Sequence, residues 1–217
     1  MKSVDEIVAI YGARSQASDQ IKSRMRTLRD YYNGDVIVPL PELNSDEQSA
    51  VANLLAQGLD QTAMRIASTR PDIYCPPLDP ARKRSRDNSD IKRKALFGWW
   101  ENSRMDLQMA KRARYLIGYS NTVTQLRWNE QNGCPEWHLR DPLTAYPATL
   151  LGVDDMRPRD CIFGYERPLG WLHNNYPEVG RVFQADSDAG PDTAIELIEY
   201  VGEDETVLIA MRGPVNT

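Results

Sequence analysis

Seven cationic side chains fall close together in this chain: Arg82, Lys83, Arg84, Arg86, Lys92, Arg93 and Lys94, set against only Asp87 and Asp90. A net charge of +5 over residues 81–94 calls for an acidic partner, and two chemistries fit. Phosphate oxygens accept from lysine and arginine without any base-reading residue beside them. The acidic surface of a protein, a second copy of this chain included, is the other, and it weighs more, because a chain of net negative charge has acidic surface of its own to offer. Trp99 and Trp100 follow the run. They continue an apolar series, so they read as helix packing rather than as platforms for bases.

Other reactive groups are sparse. His138 and His173 are the only histidines, and neither has a cysteine or carboxylate at metal-ligand spacing, so both read as ordinary side chains. Asp154 and Asp155, with Asp160 nearby, hint at a two-metal site. Such metals need carboxylates convergent from different elements, whereas these are merely adjacent, so a solvated loop is expected. Cys75, Cys134 and Cys161 are odd in number and far apart, which suggests neither a disulfide framework nor a zinc site. No Gly-Lys dipeptide occurs, and Gly-x-Ser-x-Gly and His-Glu-x-x-His are absent, which excludes the phosphate-cradling loop and two common hydrolase signatures. The chain therefore reads as neither a motor nor an enzyme, and no cofactor is expected.

With 217 residues, 41% of them hydrophobic, the chain can build a core. No apolar run approaches the roughly 20 residues that span a bilayer, and the first residues lack the order of a secretory signal, so a soluble intracellular protein is expected. The net charge of −5 is unevenly spread. From Leu150 onward 5 arginines stand against 13 acidic residues, a net of −8, while the first 149 residues hold 21 basic and 18 acidic, a net of +3.

The elements that must carry these groups begin with Ser3 and Glu6, whose spacing forms a capping box. Gly12 is expected to interrupt that first helix. A second helix should follow with Ile21, Met25, Leu28 and Tyr32 on one face, Lys22 turned aside, and Asn33-Gly34 as its stop. Residues 36–41 read as extended linker. Ser45 and Gln48 repeat the capping box, and Val51, Leu54, Leu55, Leu59, Ala63 and Ile66 form an apolar stripe that should dock into the core before Pro71 ends the helix. By that reading an aspartate at Leu55 or Ile66 is far more damaging than an alanine at Glu47. Asp79-Pro80 should open the next helix, running to about Asn102 with Ile91, Ala95, Leu96 and Trp99 on one face. Met109, Ala113, Leu116 and Ile117 imply another. Thereafter strands are expected over 122–128, 136–140, 161–166, 194–200 and 206–210, the first pair joined through Asn132-Gly133, with a solvated loop over 185–192. Helices first and strands second describe an α+β fold.

Taken in order, these pieces resemble the N-terminal part of a tailed-bacteriophage portal protein. The resemblance rests on Tyr31-Tyr32-Asn33-Gly34, Arg70-Pro71, the paired Trp99-Trp100, Leu116-Ile117-Gly118, Arg140-Asp141-Pro142, Tyr146-Pro147, Tyr176-Pro177 and Glu196-Leu197-Ile198-Glu199-Tyr200, and it covers nearly the whole chain. Each motif is weak alone; their order and spacing are more specific. The resemblance implies the wing of a dodecameric ring, with residues 1–120 as its helical part and 121–217 as its strand-containing part. Stem, clip, crown and tunnel loop would lie in a longer chain. It further implies a structural rather than catalytic subunit of the virion, assembled in the host bacterial cytoplasm. The ring is the channel through which double-stranded DNA is packaged and ejected at the capsid vertex. It contacts capsid or scaffold protein, terminase and the head-tail adaptor, and no membrane. The rival reading is a nucleic-acid-binding or nucleic-acid-processing domain that uses the basic helix at 81–94.

Overall fold

A computed structural model describes residues 2–35, 53–69, 71–150, 157–185 and 190–211. The fold is mixed α+β. Helices α1 (Val4–Asn33), α2 (Leu54–Ala67), α3 (Lys83–Asn102) and α4 (Met105–Tyr119) come first, then a two-stranded hairpin of β1 (Val123–Asn129) and β2 (Cys134–Arg140). A four-stranded antiparallel sheet follows, made of β3 (Ala145–Pro147), β4 (Cys161–Pro168), β5 (Ala194–Val201) and β6 (Thr206–Met211), in that spatial order. Helices α5 (Leu169–Asn175) and α6 (Pro177–Ala185) lie between β4 and β5 in the chain. Two compact units result, residues 1–23 with 143–217 and residues 24–142. The β1–β2 hairpin falls in the second unit, with α2, α3 and α4.

Helix α1 starts as its capping box requires: the Ser3 amide donates to Glu6 Oε2 at 2.8 Å and the Glu6 amide to Ser3 Oγ at 3.3 Å. It ends as Gly34 allows. At φ +82° Gly34 donates to the Tyr31 carbonyl while the Asp35 amide reaches back to the Asp30 carbonyl, the paired bonds of a Schellman cap. Gly12 does not interrupt it, since a single glycine costs only about 1 kcal/mol and the contacts on either side outweigh that.

In the first unit the two faces of the four-stranded sheet are both covered. Ile198, Tyr200, Ile162 and Ile209 point to the face where Ile7 of α1 is fully buried, and Val8, Ile10 and Tyr11 pack beside it. Ile195 and Leu197 point the other way, onto Leu169 and Leu172 of α5. The alternation along β5 is the period of two that a strand buried on both faces imposes. Tyr11 stands edge-on to Tyr146 at 5.1 Å and donates to Glu196 Oε1, directly over Gly164.

Further along α1 the expected assignment reverses. Ile21 is exposed, whereas Lys22, expected on the surface, is buried. Its ammonium donates to the Leu143 and Ala145 carbonyls at 2.9 and 2.6 Å and lies 4.3 Å over the Tyr146 ring. Those carbonyls offset the desolvation that would otherwise exclude a lysine.

In the second unit, α2 begins at Leu54 with Asn53 as its cap, not at Ser45; Ser45, Gln48 and Val51 lie outside the described residues, as do residues 36–41 and Arg70. Asn53 serves two helices at once. Its Oδ1 accepts from the Ala56 amide at 2.9 Å, and its Nδ2 donates to the Tyr31 and Tyr32 carbonyls at the end of α1, both at 2.9 Å. Asp60 then joins three helices, accepting from Tyr32 at 3.0 Å and pairing with Arg114 at 2.6 Å. The apolar stripe of α2 is only partly used: Ala63 is fully buried, while Leu54, Leu55 and Ile66 are exposed, so the expectation that Leu55 and Ile66 are core does not hold within the chain. Helix α3 begins at Lys83 rather than at Asp79-Pro80. Asp79 instead accepts from the Ala81 amide at 3.0 Å, spending its capping oxygen on a turn.

The expected strands are present: the first is shifted by one residue, to 123–129, and the other four are extended by one or two residues. The β1–β2 turn differs from a two-residue hairpin, since Asn129 faces Cys134 and, of the loop residues 130–133, only Gly133 has a positive φ. Helices α5 and α6 and strand β3 were not anticipated.

Two glycines separate space from propensity. A Cβ on Gly164 would stand 2.4 Å from the Tyr11 hydroxyl and 2.8 Å from its ring, which Tyr146 and Glu196 hold in place; one on Gly12 would meet nothing within 4 Å. Gly164→Ala is expected to destabilise the protein by about 1–3 kcal/mol and Gly12→Ala to stabilise it by up to roughly 1 kcal/mol. Denaturant titration of the two variants checks the opposite signs.

Candidate interaction surface

The basic residues converge on α3, and nearly all of that helix faces solvent. Arg82, Lys83, Arg84, Arg86, Lys92, Arg93 and Lys94 are all exposed, and α3 holds no fully buried residue. One face is occupied by the chain that leads into it. Residues 72–79 run along the helix, with the Asp79 amide donating to Ser85 Oγ, Ser89 donating to the Cys75 carbonyl, and Arg93 3.4 Å from Asp72. Arg82 pairs with Asp79 at 3.0 Å and Arg86 donates to the Pro80 carbonyl. These contacts engage three of the seven cations. Lys83, Arg84, Lys92 and Lys94 make none among the described residues.

The tryptophans sit where α3 meets the hairpin. Trp99 Nε1 donates to the Pro135 carbonyl at 2.6 Å and Trp100 Nε1 to Asp106 at 2.9 Å, so both are half-buried tethers, as packing predicts for them. The rest of their stripe is not packed: Ile91 is 63% exposed and Leu96 42%. A cleft of about 740 Å³ opens beside them, lined by Trp99, Gln108, Pro135, Trp137 and His138 among others.

The hairpin itself is two-faced. Register places Thr124 opposite Leu139, Leu126 opposite Trp137 and Trp128 opposite Pro135 on one face, with Gln125, Arg127, Glu136, His138 and Arg140 on the other. Trp137 turns toward Arg112 of α4 at 5.7 Å, but Leu126 and Trp128 on the outer strand remain exposed. Alternation in 123–129 signalled this face, and the sequence reading did not use it.

Asp160 is ion-paired with Arg14 at 2.6 Å and with Lys2 at 3.5 Å, so it serves structure, and Asp154 and Asp155 lie outside the described residues. His138 is 3.3 Å from Glu136, whose carboxyl is held below its ordinary value first by the Asn129 amide and then by that imidazole. His173 packs against Gly180 on α6. Among the described residues no group of three or more His, Cys, Asp and Glu side chains could hold a metal. No described helix is long and apolar enough to cross a membrane.

A second hollow, of about 100 Å³, lies between the end of α1, α2 and α4, lined by Leu28, Tyr32, Leu55, Leu59, Tyr115 and Tyr119 among others. Tyr115 and Tyr119 stack at 5.6 Å, and Gly118 between them admits Leu59. No protein-family model matches the chain, and no curated protein matches it either.

The hollow has a titratable signature. Burial, aided by Asp141, pushes the Tyr115 phenol up to about 12. A phenol raised above its unfolded value of roughly 10 contributes stability that is complete below that pH and lost as pH climbs through the folded value. Tyr115→Phe is expected to lose less melting temperature than the parent between about pH 9 and about pH 12. Parallel falls in both proteins would show that Tyr115 is not held protonated by the fold.

Proposed function

We propose that this chain is the wing-like portion of a tailed-phage portal protein: a structural, non-catalytic subunit of a closed ring at the capsid vertex. In this reading the ring is the channel for packaged and ejected DNA. It docks terminase, capsid or scaffold protein and the head-tail adaptor, and it is assembled in the bacterial cytoplasm and carried in the virion. The ordered residue series gives the family, and one physical observation supports assembly. In residues 24–142 the described hydrophobic residues that are fully buried are Met25, Ala63, Met105 and Ala113, while Leu54, Met64, Ile66, Ile91, Leu107, Leu116, Leu126 and Trp128 are each more than half exposed. A monomer rarely leaves so many large apolar side chains in water, and helices that bury so few are built to be covered. Rings close through unlike faces, which suits a chain whose uncovered residues lie on α2, α3, α4 and β1 alike.

A second reading has one observation in its favour. The exposed cations Lys83, Arg84, Lys92 and Lys94 would equally suit phosphates, as in a nucleic-acid-binding domain.

Particle size separates the two. The complete gene product is expected to appear as closed rings in electron microscopy and to leave DNA and ATP intact with Mg²⁺ or Mn²⁺. Monomers at every concentration, with salt-dependent DNA binding, would sink the ring reading. Within it, Ile66→Asp is expected to shift stability by no more than about 0.5 kcal/mol yet impair assembly. Ala63→Asp, which buries a lone carboxylate, is expected to cost several kcal/mol and prevent folding. Melting curves beside sedimentation profiles of the two variants check this.

A further inference from the structure

The two compact units carry opposite charge. Residues 1–23 with 143–217 hold 8 basic and 16 acidic side chains, a net of −8, and residues 24–142 hold 18 basic and 15 acidic, a net of +3. On α3 this excess is not evenly spread. Lys83, Asp87, Asp90 and Lys94 follow one another at spacings of three and four, so they share a stripe that is neutral within itself. Arg84 and Ile91, seven residues apart, share a different stripe, and Lys92 lies about a quarter turn round from it; all three are exposed, Ile91 63% in water, and neither Arg84 nor Lys92 is paired among the described residues. A phosphate backbone has no use for Ile91. A protein surface with acidic groups beside apolar ones does.

The oppositely charged unit supplies such a surface at the β5–β6 turn. There Asp160 is already engaged by Arg14 and Lys2, and Glu205 by the Lys2 amide. Glu203 and Asp204 are exposed and make no bond among the described residues, at the tip of a hairpin closed by the Gly202 amide donating to the Glu205 carbonyl at 2.8 Å. We propose that the Arg84–Ile91–Lys92 face of α3 docks on the β5–β6 turn of a second copy of this chain, Arg84 and Lys92 meeting Glu203 and Asp204. The contact is head-to-tail, so one copy's basic unit faces the next copy's acidic unit, as a closed ring requires. Charge at such a rim governs pairing choice and encounter more than total affinity.

This inference rests on the ring reading above, and a charge swap in the complete gene product tests the two separately. Arg84→Glu/Lys92→Glu and Glu203→Lys/Asp204→Lys are each expected to melt like the parent, since all four residues are exposed. Each is expected to raise the protein concentration needed for assembly by about tenfold at about 0.1 M salt, where the Debye length is about 10 Å, with a smaller effect at higher salt. Combining all four substitutions is expected to restore assembly. Rings that form normally from Arg84→Glu/Lys92→Glu would overturn the docking while leaving the ring reading intact, and so would a quadruple variant that stays defective. If that double variant keeps its rings and instead loses a salt-dependent shift of double-stranded DNA, the face belongs to nucleic acid and the docking is wrong. A parent protein that never assembles overturns both.

Discussion

The helical unit depends on polar hooks more than on a core. Asn53 caps α2 while closing the open carbonyls of α1, and Asp60 takes a hydroxyl from α1 and a guanidinium from α4. Apolar burial in these three helices within the unit is thin, with Met25, Ala63, Met105 and Ala113 as the buried hydrophobic residues and Leu59 set against Gly118. Neutral hydrogen bonds contribute about 1 kcal/mol each, and the half-exposed Arg114–Asp60 pair contributes modestly. Such links fix orientation well and stability poorly. The same logic extends outward, where Ser85 and Ser89 hold the approach to α3 and Trp99 holds the hairpin.

The strand unit solves the opposite problem. Its sheet is covered on both faces, and even its buried polar groups are fastened: Lys22 to two carbonyls, Glu199 to the Tyr165 hydroxyl at 3.2 Å. That construction supplies a rigid base for the β5–β6 turn and its acidic tip. One unit is therefore complete in itself, and the other presents surface. In the proposed ring, the complete unit of each subunit would receive the unfinished unit of the next.

Local signals were legible in the sequence wherever a few neighbouring residues decide the outcome. Ser3 with Glu6, Asn33-Gly34 and the alternating strands all formed as read. Periodicity identified which residues share a face but not what that face meets, and this explains the main departures. Leu55, Ile66 and Ile91 do lie on stripes, yet the stripes face water within the chain. Lys22 was assigned outward from its charge, because nothing local announces the carbonyls of Leu143 and Ala145, over a hundred residues away in the chain. Helices α5 and α6 escaped notice for a related reason: each is short, and tertiary contact through Leu169 and Leu172 rather than propensity sustains α5. Of the candidate surface, the cations were legible, and alternation set Leu126 and Trp128 on one face without telling that this face is left exposed.

The sheet has two dissimilar borders. Strand β3 is three residues long and ends in Pro147, which blunts any attempt by another strand to continue the ladder. Strand β6, at the opposite border, reads Thr-Val-Leu-Ile-Ala-Met, with no charge, proline or glycine. Short uncharged segments of this kind are the raw material of cross-β stacking when their backbone groups are left without a neighbour. Solubility would then depend on what lies against that border, and material that accumulates without its cover would be drawn toward fibrous or amorphous aggregates by the same backbone pairing that completes the sheet.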